Sequence, residues 1–344
     1  MKILDKIGCG VLRVALICFL PACTGFSIAQ QRPTDPEIPT FRVQSSLVVV
    51  DVISQDPKSG LPIRDFKKGD FRLFDNKHEV RIATFDSGAR YDTRPITVWL
   101  VVICDESGLP KFGASAEFLG QESLFHPALN HLEHHDTVGV AHWCDNGESQ
   151  LDLLPTEDRN RVIEELAETL KPIPFEGGTF ASDEAGEQAF RKVIRLIIRD
   201  AYRRNPKPLP VLVFLHGDHT GQPHGDLNKL VDDFLETSGI VFGVRDSRSP
   251  NLHFIIGERA KIMHYMAKHT GGEYFSVPPS GYEAALEAIL LQLHFRYELG
   301  FIPPAIDGKH HELRVELTKS AKAEHKGLRL KYRPDYIPVR VLQI

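Results

Sequence analysis

Ile96–Leu109 reads ITVWLVVICDESGL. From Ile96 to Cys104 only Thr97 interrupts the apolar run. A continuous apolar run without alternation predicts a strand buried on both faces, at the centre of a parallel sheet. Asp105, Glu106, Ser107 and Gly108 then fall at its carboxyl end, where open α/β sheets place ligands.

Outward from this strand the chain alternates apolar strands with helical stretches. Beyond Arg94-Pro95, strands are expected over Asp136–Cys144, Glu148–Leu154, Val211–Leu215, Ile240–Val244 and Tyr274–Val277. Helices are expected over Ala114–His134, from a cap at Thr156-Glu157-Asp158, with Thr156 accepting from backbone amides, through Leu170, and over Asp183–Arg204, Leu227–Thr237, Glu258–His269 and Tyr282–Arg296. Such alternation implies a parallel sheet with helices on both faces. Both flanks are β-like. Leu47–Ile53, Asp65-Phe66, Asp70–Phe74 and Val80–Phe85 are short runs between polar turns, and a hairpin is expected after Gln55–Gly60. Tyr297–Ile302, His311–Leu317 and Leu328–Arg333 follow the α/β stretch, the last two joined by a Lys/Ala-rich hairpin. The expected division is 1–29 leader, 30–40 Pro/Gln-rich linker, 41–94 and 297–344 the two parts of one antiparallel β-sandwich module, and 95–296 a doubly wound, mostly parallel Rossmann-like α/β unit inserted between them.

The 344 residues carry a net charge of −5, with 42% hydrophobic and 25% charged residues. That composition supports a globular core and gives no reason to expect nucleic-acid binding. Lys2, Lys6 and Arg13 precede the apolar run Val14–Leu20, the order of an export signal and too short for a membrane span. Two processing outcomes stay open. Leu20-Pro21-Ala22-Cys23 resembles a lipobox, which would lipidate Cys23, whereas Ser27-Ile28-Ala29 fits ordinary cleavage before Gln30. The expected location is therefore the periplasm, outer envelope or exterior. Outside the leader stand Cys104 and Cys144, which can form a disulfide if their strands are neighbours and are otherwise small buried hydrophobes.

Taken in order, these segments resemble the von Willebrand factor A-related family of bacterial exported proteins, acidobacterial type. The resemblance rests on Leu47–Ile53 followed by Asp70–Lys77 (DFRLFDNK), the strand ending in Asp105-Glu106-Ser107-Gly108, Gly177-Gly178-Thr179, Thr270-Gly271-Gly272-Glu273-Tyr274-Phe275, and Tyr297–Pro303. It implies a vWA sheet, protein–protein recognition and a metal-ion-dependent adhesion site. There hydroxyls bind Mg²⁺ or another divalent cation, and an open coordination position takes a partner's acidic side chain. Position by position, Asp105 and Ser107 match the first motif, Thr179 the second loop and Asp218 the carboxylate after the fourth strand. Leu109 stands in the third place of the first motif, and Gly217 takes the carboxylate's ungapped position, so the implied site is degenerate.

Ser107 and Thr179 are also ordinary helix-capping residue types. His216-Gly217-Asp218-His219 admits a separate zinc or copper reading, in a chain with 16 histidines. No G-x-S-x-G, H-E-x-x-H or G-x-x-x-x-G-K-S/T motif occurs, so a non-enzymatic module is expected. The alternatives are a metal-independent structural or assembly component of the envelope and, more distantly, an envelope hydrolase.

Overall fold

Strand β5 (Ile96–Cys104) lies inside a six-stranded sheet, between β6 (Thr137–Cys144) and β8 (Leu209–His216), parallel to both. The computed structural model describes residues 47–56, 60–87, 94–104, 125–144, 147–170, 183–204, 207–216, 228–247 and 259–338. Beyond β8 the sheet continues through β9 (Ile240–Asp246) and β10 (Tyr274–Val277), both parallel. Beyond β6 it ends in the antiparallel β7 (Ser149–Thr156), whose pairing is broken by register shifts. Pro155 is tolerated there because an edge strand can spare an N–H.

Alternation along β5 divides the core in two. Val98, Leu100 and Val102 pack with residues of α1 (His126–Leu129), α2 (Arg159–Thr169) and α6 (Tyr282–His294). Trp99, Val101 and Ile103 pack with residues of α3 (Asp183–Arg203), α4 (Asn228–Glu236) and α5 (Arg259–Thr270). The sheet is thus doubly wound, with helices on both faces.

The chain segments before β5 and after α6 pair with each other. β1 (Val48–Gln55) runs antiparallel to β11 (Tyr297–Phe301) and to β13 (Arg329–Lys331), while β11 also takes β4 (Thr84–Asp86). A second sheet holds β2 (Phe71–Asp75), β3 (His78–Val80), β12 (His311–Leu317) and β14 (Asp335–Tyr336). Between the two sheets sits an apolar core that includes Val50, Val52, Leu73, Tyr297, Leu299, Phe301, Leu313 and Val315.

The opposite face of β1 turns to the α/β unit, where Ile53 joins the β5 core and Asp51 is 7% exposed. Asp51 accepts from Arg296 Nε at 2.9 Å and from Arg94 Nη2 at 3.0 Å. Arg296, 1% exposed, also donates to Glu298, to the Arg94 carbonyl and to the Leu293 carbonyl at the end of α6. Arg94 precedes β5 and Arg296 follows α6, so one carboxylate ties both chain crossings.

Several sequence expectations are corrected. The hairpin expected after Gln55 closes only briefly: Asp56 N–H donates to the Leu61 carbonyl at 3.0 Å and Ile63 N–H to the Ser54 carbonyl at 3.2 Å, but the pairing stops at one antiparallel bridge, Gln55 to Pro62, because Pro62 has no N–H with which to extend a ladder. Asp65-Phe66 is not a strand, although Phe66 is buried and its N–H donates to Tyr297 Oη at 3.2 Å. Val80–Phe85 splits between the two sheets, the chain crossing through buried Ile82. The expected helix to His134 is helical only over His126–Leu129 among the described residues, then turns. Asp158, not Thr156, caps α2 by accepting from Arg161 N; Thr156 ends β7, too early for the cap position, and accepts from Asp158 N instead. The Lys/Ala-rich hairpin is a helix, α7 (Lys319–Glu324), because Thr318 caps a run of good helix formers and Ala321 is buried beneath it.

A buried histidine gives a pH signature. Asp136 accepts from the N–H groups of Ile96 and Glu133, each at 2.8 Å, and lies 3.5 Å from His294 Nε2. Burial holds the His294 pKa below its ordinary value, against the opposing pull of Asp136 and Glu133; Arg296 and His131 also lower it. Between that lowered pKa and about 6.5 the unfolded chain binds a proton that the folded chain does not. Stability is therefore expected to fall as pH drops through this window, and less steeply in His294→Phe, as measured by thermal melts from pH 7.5 to 5.

Candidate functional site

The order of the six-stranded sheet is β10-β9-β8-β5-β6-β7. From β5 the chain moves to β6 on one side and later, through β8, β9 and β10, to the other. The switch point therefore lies between β5 and β8, and open α/β sheets bind ligands outside the carboxyl ends of such strands. Val102 pairs with Leu215, so β5 and β8 end side by side. Cys104 and His216 thus end neighbouring strands at one edge of the sheet, on either side of the switch. Asp105, Ser107, Thr179 and Asp218 themselves lie outside the described residues, as does Cys23. As donors, Asp, Ser and Thr are hard oxygen ligands suited to Mg²⁺, while Leu109 supplies none, leaving the set one donor short.

At the same edge, β6 ends in a tight turn to β7. Cys144 N donates to the Glu148 carbonyl at 2.9 Å, and Gly147, at φ +95°, donates back to the Cys144 carbonyl at 3.1 Å. Only a glycine adopts that backbone without strain. His142 and Cys144, two residues apart on a strand, share a face. One ligand-type atom from each of His142, Cys144 and Glu148 lies within 4.8 Å of the others. The His142 Nδ1 sits 2.8 and 3.0 Å from the two oxygens of Asp152 on β7, with both side chains largely buried. Cys144 is disulfide-bonded and fully buried. Its backbone pairs with that of Cys104 in the parallel ladder, so the neighbour relation required for a Cys104–Cys144 disulfide exists. Of these residues, only Cys144 stands out in a reading of the strands. The signal in the sequence is H-x-C followed by Asp145-Asn146-Gly147-Glu148, a turn sequence that brings Glu148, the third of these residues, back to the same strand end.

The histidine pairs found in the sequence are otherwise engaged. His311 Nδ1 bonds Asp75 at 2.8 Å, His310 pairs with Asp232, and His134 and His135 stack on each other. At the far side of the sheet, a cleft of about 470 Å³ lies between the α5–β10 turn and β13, lined by His264, Lys268, Glu273 and Tyr332 among others.

No family model matches the chain, and no curated protein matches it in sequence. Among solved structures, the BatB protein of Bacteroides thetaiotaomicron aligns at 15% identity and TM-score 0.38, over 58% of this chain and 97% of that one. An aerotolerance-related membrane protein of Bacteroides fragilis gives 16% and 0.39, over 57% and 98%. A von Willebrand factor type A protein of Catenulispora acidiphila gives 10% and 0.41, over 81% and 76%. The fold is von Willebrand factor A-like. That statement rests on the strand order, the antiparallel edge strand and the helices on both faces. Among the described residues no helix is long and apolar enough to cross a membrane.

Proposed function

We propose that the chain is a protein-recognition module of the exported acidobacterial von Willebrand factor A type, acting at the cell envelope without enzymatic activity. The observation that carries this reading is the switch point between β5 and β8. The recognition surface comprises the segments Asp105–Gly113, Glu176–Ser182 and His216–Asp226. A degenerate cation site of Asp105, Ser107, Thr179 and Asp218 holds Mg²⁺ weakly, and an acidic side chain of a protein partner completes its coordination.

Calorimetric titration with Mg²⁺, Mn²⁺ and Ca²⁺ tests the cation. Binding heat is expected for the unaltered chain and is expected to vanish in Asp105→Ala and Thr179→Ala, with unfolding curves unchanged. Absence of heat in the unaltered chain overturns the metal-dependent form and leaves a metal-independent envelope component, the reading that Leu109 and Gly217 favour. Mass spectrometry of the mature amino terminus distinguishes lipidated Cys23 from a start at Gln30.

A further inference from the structure

We infer that the β6–β7 hairpin is a redox-gated zinc site, with His142, Cys144 and Glu148 as ligands and Asp152 as the residue that orients the histidine. The proposed cation site uses none of these residues, so the inference stands apart from it.

Three observations meet at this hairpin. The first is spacing. Ligands of tetrahedral zinc stand roughly 3.3–3.8 Å apart, given Zn–N and Zn–S bonds of about 2.0–2.3 Å. The three ligand-type atoms lie within 4.8 Å of one another, so the set closes with at most about 1–1.5 Å of movement. Glu148, exposed at the turn, is the side chain placed to make it. The second is orientation. Asp152 accepts from His142 Nδ1, so that nitrogen carries the proton and Nε2 presents its lone pair. A carboxylate behind a histidine is the arrangement that sets the tautomer and raises the basicity of metal-bound imidazole. The third is chemistry. A histidine, a thiolate and one carboxylate suit zinc, which keeps a fourth position for water.

The gate is the disulfide. A disulfide sulfur is neutral and a poor ligand, so the site is closed while Cys144 is oxidised. An external dithiol opens it. One thiolate of the reductant attacks the S–S bond and forms a mixed disulfide, and the second displaces the protein sulfur. The products are two protein thiols and the cyclic, oxidised dithiol. Cys144 then gives its proton to solvent as the Zn–S bond forms, because the thiolate is the ligand. In the reverse exchange an external disulfide is the oxidant: the Cys144 thiolate leaves the ion to attack it, the second protein thiolate displaces the mixed disulfide, and the external dithiol and free Zn²⁺ are released. Zinc occupancy would thus report the redox state of the protein's surroundings.

The full chain, either oxidised or reduced with a phosphine that is then removed anaerobically, is titrated with Zn²⁺ against a chromophoric chelator. The reduced chain is expected to bind one zinc at least about 100-fold more tightly than the oxidised chain. Asp152→Asn, which leaves all three ligands and the disulfide in place, is expected to weaken reduced-state binding by about 10–100-fold. His142→Ala is expected to weaken it at least as much. Co²⁺ in place of zinc is expected to show thiolate-to-metal charge-transfer absorption only after reduction. Equal affinity in the two redox states overturns the inference. Reduced-state binding unmoved by Asp152→Asn and His142→Ala overturns it as well, since that is the behaviour of an isolated thiol. So does loss of the far-UV circular dichroism of the folded chain on reduction, because the hairpin would then no longer build the site.

Discussion

Replacing Arg296 with methionine is expected to destabilise the chain by about 3–5 kcal/mol, the range for a buried ion pair that loses one partner. The guanidinium is 1% exposed and makes four hydrogen bonds: to Asp51, Glu298, and the carbonyls of Leu293 and Arg94. Methionine fills a similar volume, so the loss is electrostatic and not a cavity. Removing the cation leaves Asp51 buried with Arg94, at 3.0 Å, as its remaining hydrogen-bonded cation among the described residues, and strips the carbonyl of Leu293 of the Arg296 donor. Arg94 is partly exposed and also near Glu298, which puts the expected loss toward the lower end of the range. The second substitution makes the test specific. Asp51→Leu in the Arg296→Met background removes the stranded carboxylate and is expected to recover much of the loss, whereas Asp51→Leu alone is expected to destabilise. Guanidinium unfolding of the four chains gives the coupling energy. Additive losses would show that Asp51 and Arg296 do not act as a pair.

This hub shows what patterning can and cannot announce. The apolar run of β5 announced its own burial, because a strand covered on both faces has no polar face to spare. The six strands of the α/β unit, and the pairing of the amino-terminal with the carboxyl-terminal β segments, followed from strand–helix alternation and flanking turns. Asp51, inside the apolar stretch Val48–Ile53, and Arg296, closing an apolar helix, gave no such signal. Their meaning lies in a contact spanning 245 positions. Local chemistry told only part of the story at β1, where the turn after Gln55 does bring the chain back, to a single bridge with Pro62, while the long ladder forms with β11. At the carboxyl edge the residues named by resemblance, Asp105, Ser107, Thr179 and Asp218, lie outside the described residues; what the structure gives is that the strands before two of them, β5 and β8, end side by side at one switch point. The hairpin cluster was written plainly as H-x-C and D-N-G-E, but only the antiparallel return of β7 brings Asp152 behind His142. Hydrogen-bond partners contributed by a neighbouring strand are invisible to a reading along one strand.

The motif Thr270-Gly271-Gly272, singled out by resemblance, has a packing explanation that carries the other large effect. Thr270, 2% exposed, donates from Oγ1 to the Met266 carbonyl at the end of α5 and accepts from Val241 N on β9, both within 2.9 Å. It locks the helix end onto the neighbouring strand, and the chain must then enter β10 with no room to spare. A Cβ on Gly272 would stand 1.9 Å from the Val241 carbonyl oxygen and 2.8 Å from its carbon. Those atoms are backbone in a central strand, held between β8 and β10, and cannot swing aside as a side-chain tip could. Gly272→Ala is therefore expected to cost about 3 kcal/mol or more, the upper end of the range for overpacking. Gly271→Ala meets a different penalty. Its φ of +83° is a left-handed conformation, and its Cβ would press at 2.6 Å on the backbone of Tyr332 and Arg333, in the segment after β13. The two variants are expected to differ in kind. Gly272→Ala should melt the α/β unit, whereas Gly271→Ala should first loosen the contact of that turn with the segment holding Arg333. Arg333 is buried and donates to the Val49 carbonyl, with its pKa lowered to about 10 mainly by that burial. Amide hydrogen exchange distinguishes the outcomes: lost protection across β8–β10 in the first variant, and across β1 and the residues after β13 in the second. Protection of β8–β10 retained in Gly272→Ala, with an unchanged unfolding midpoint, would show that the strand can yield, and would leave the glycine of this motif unexplained by packing.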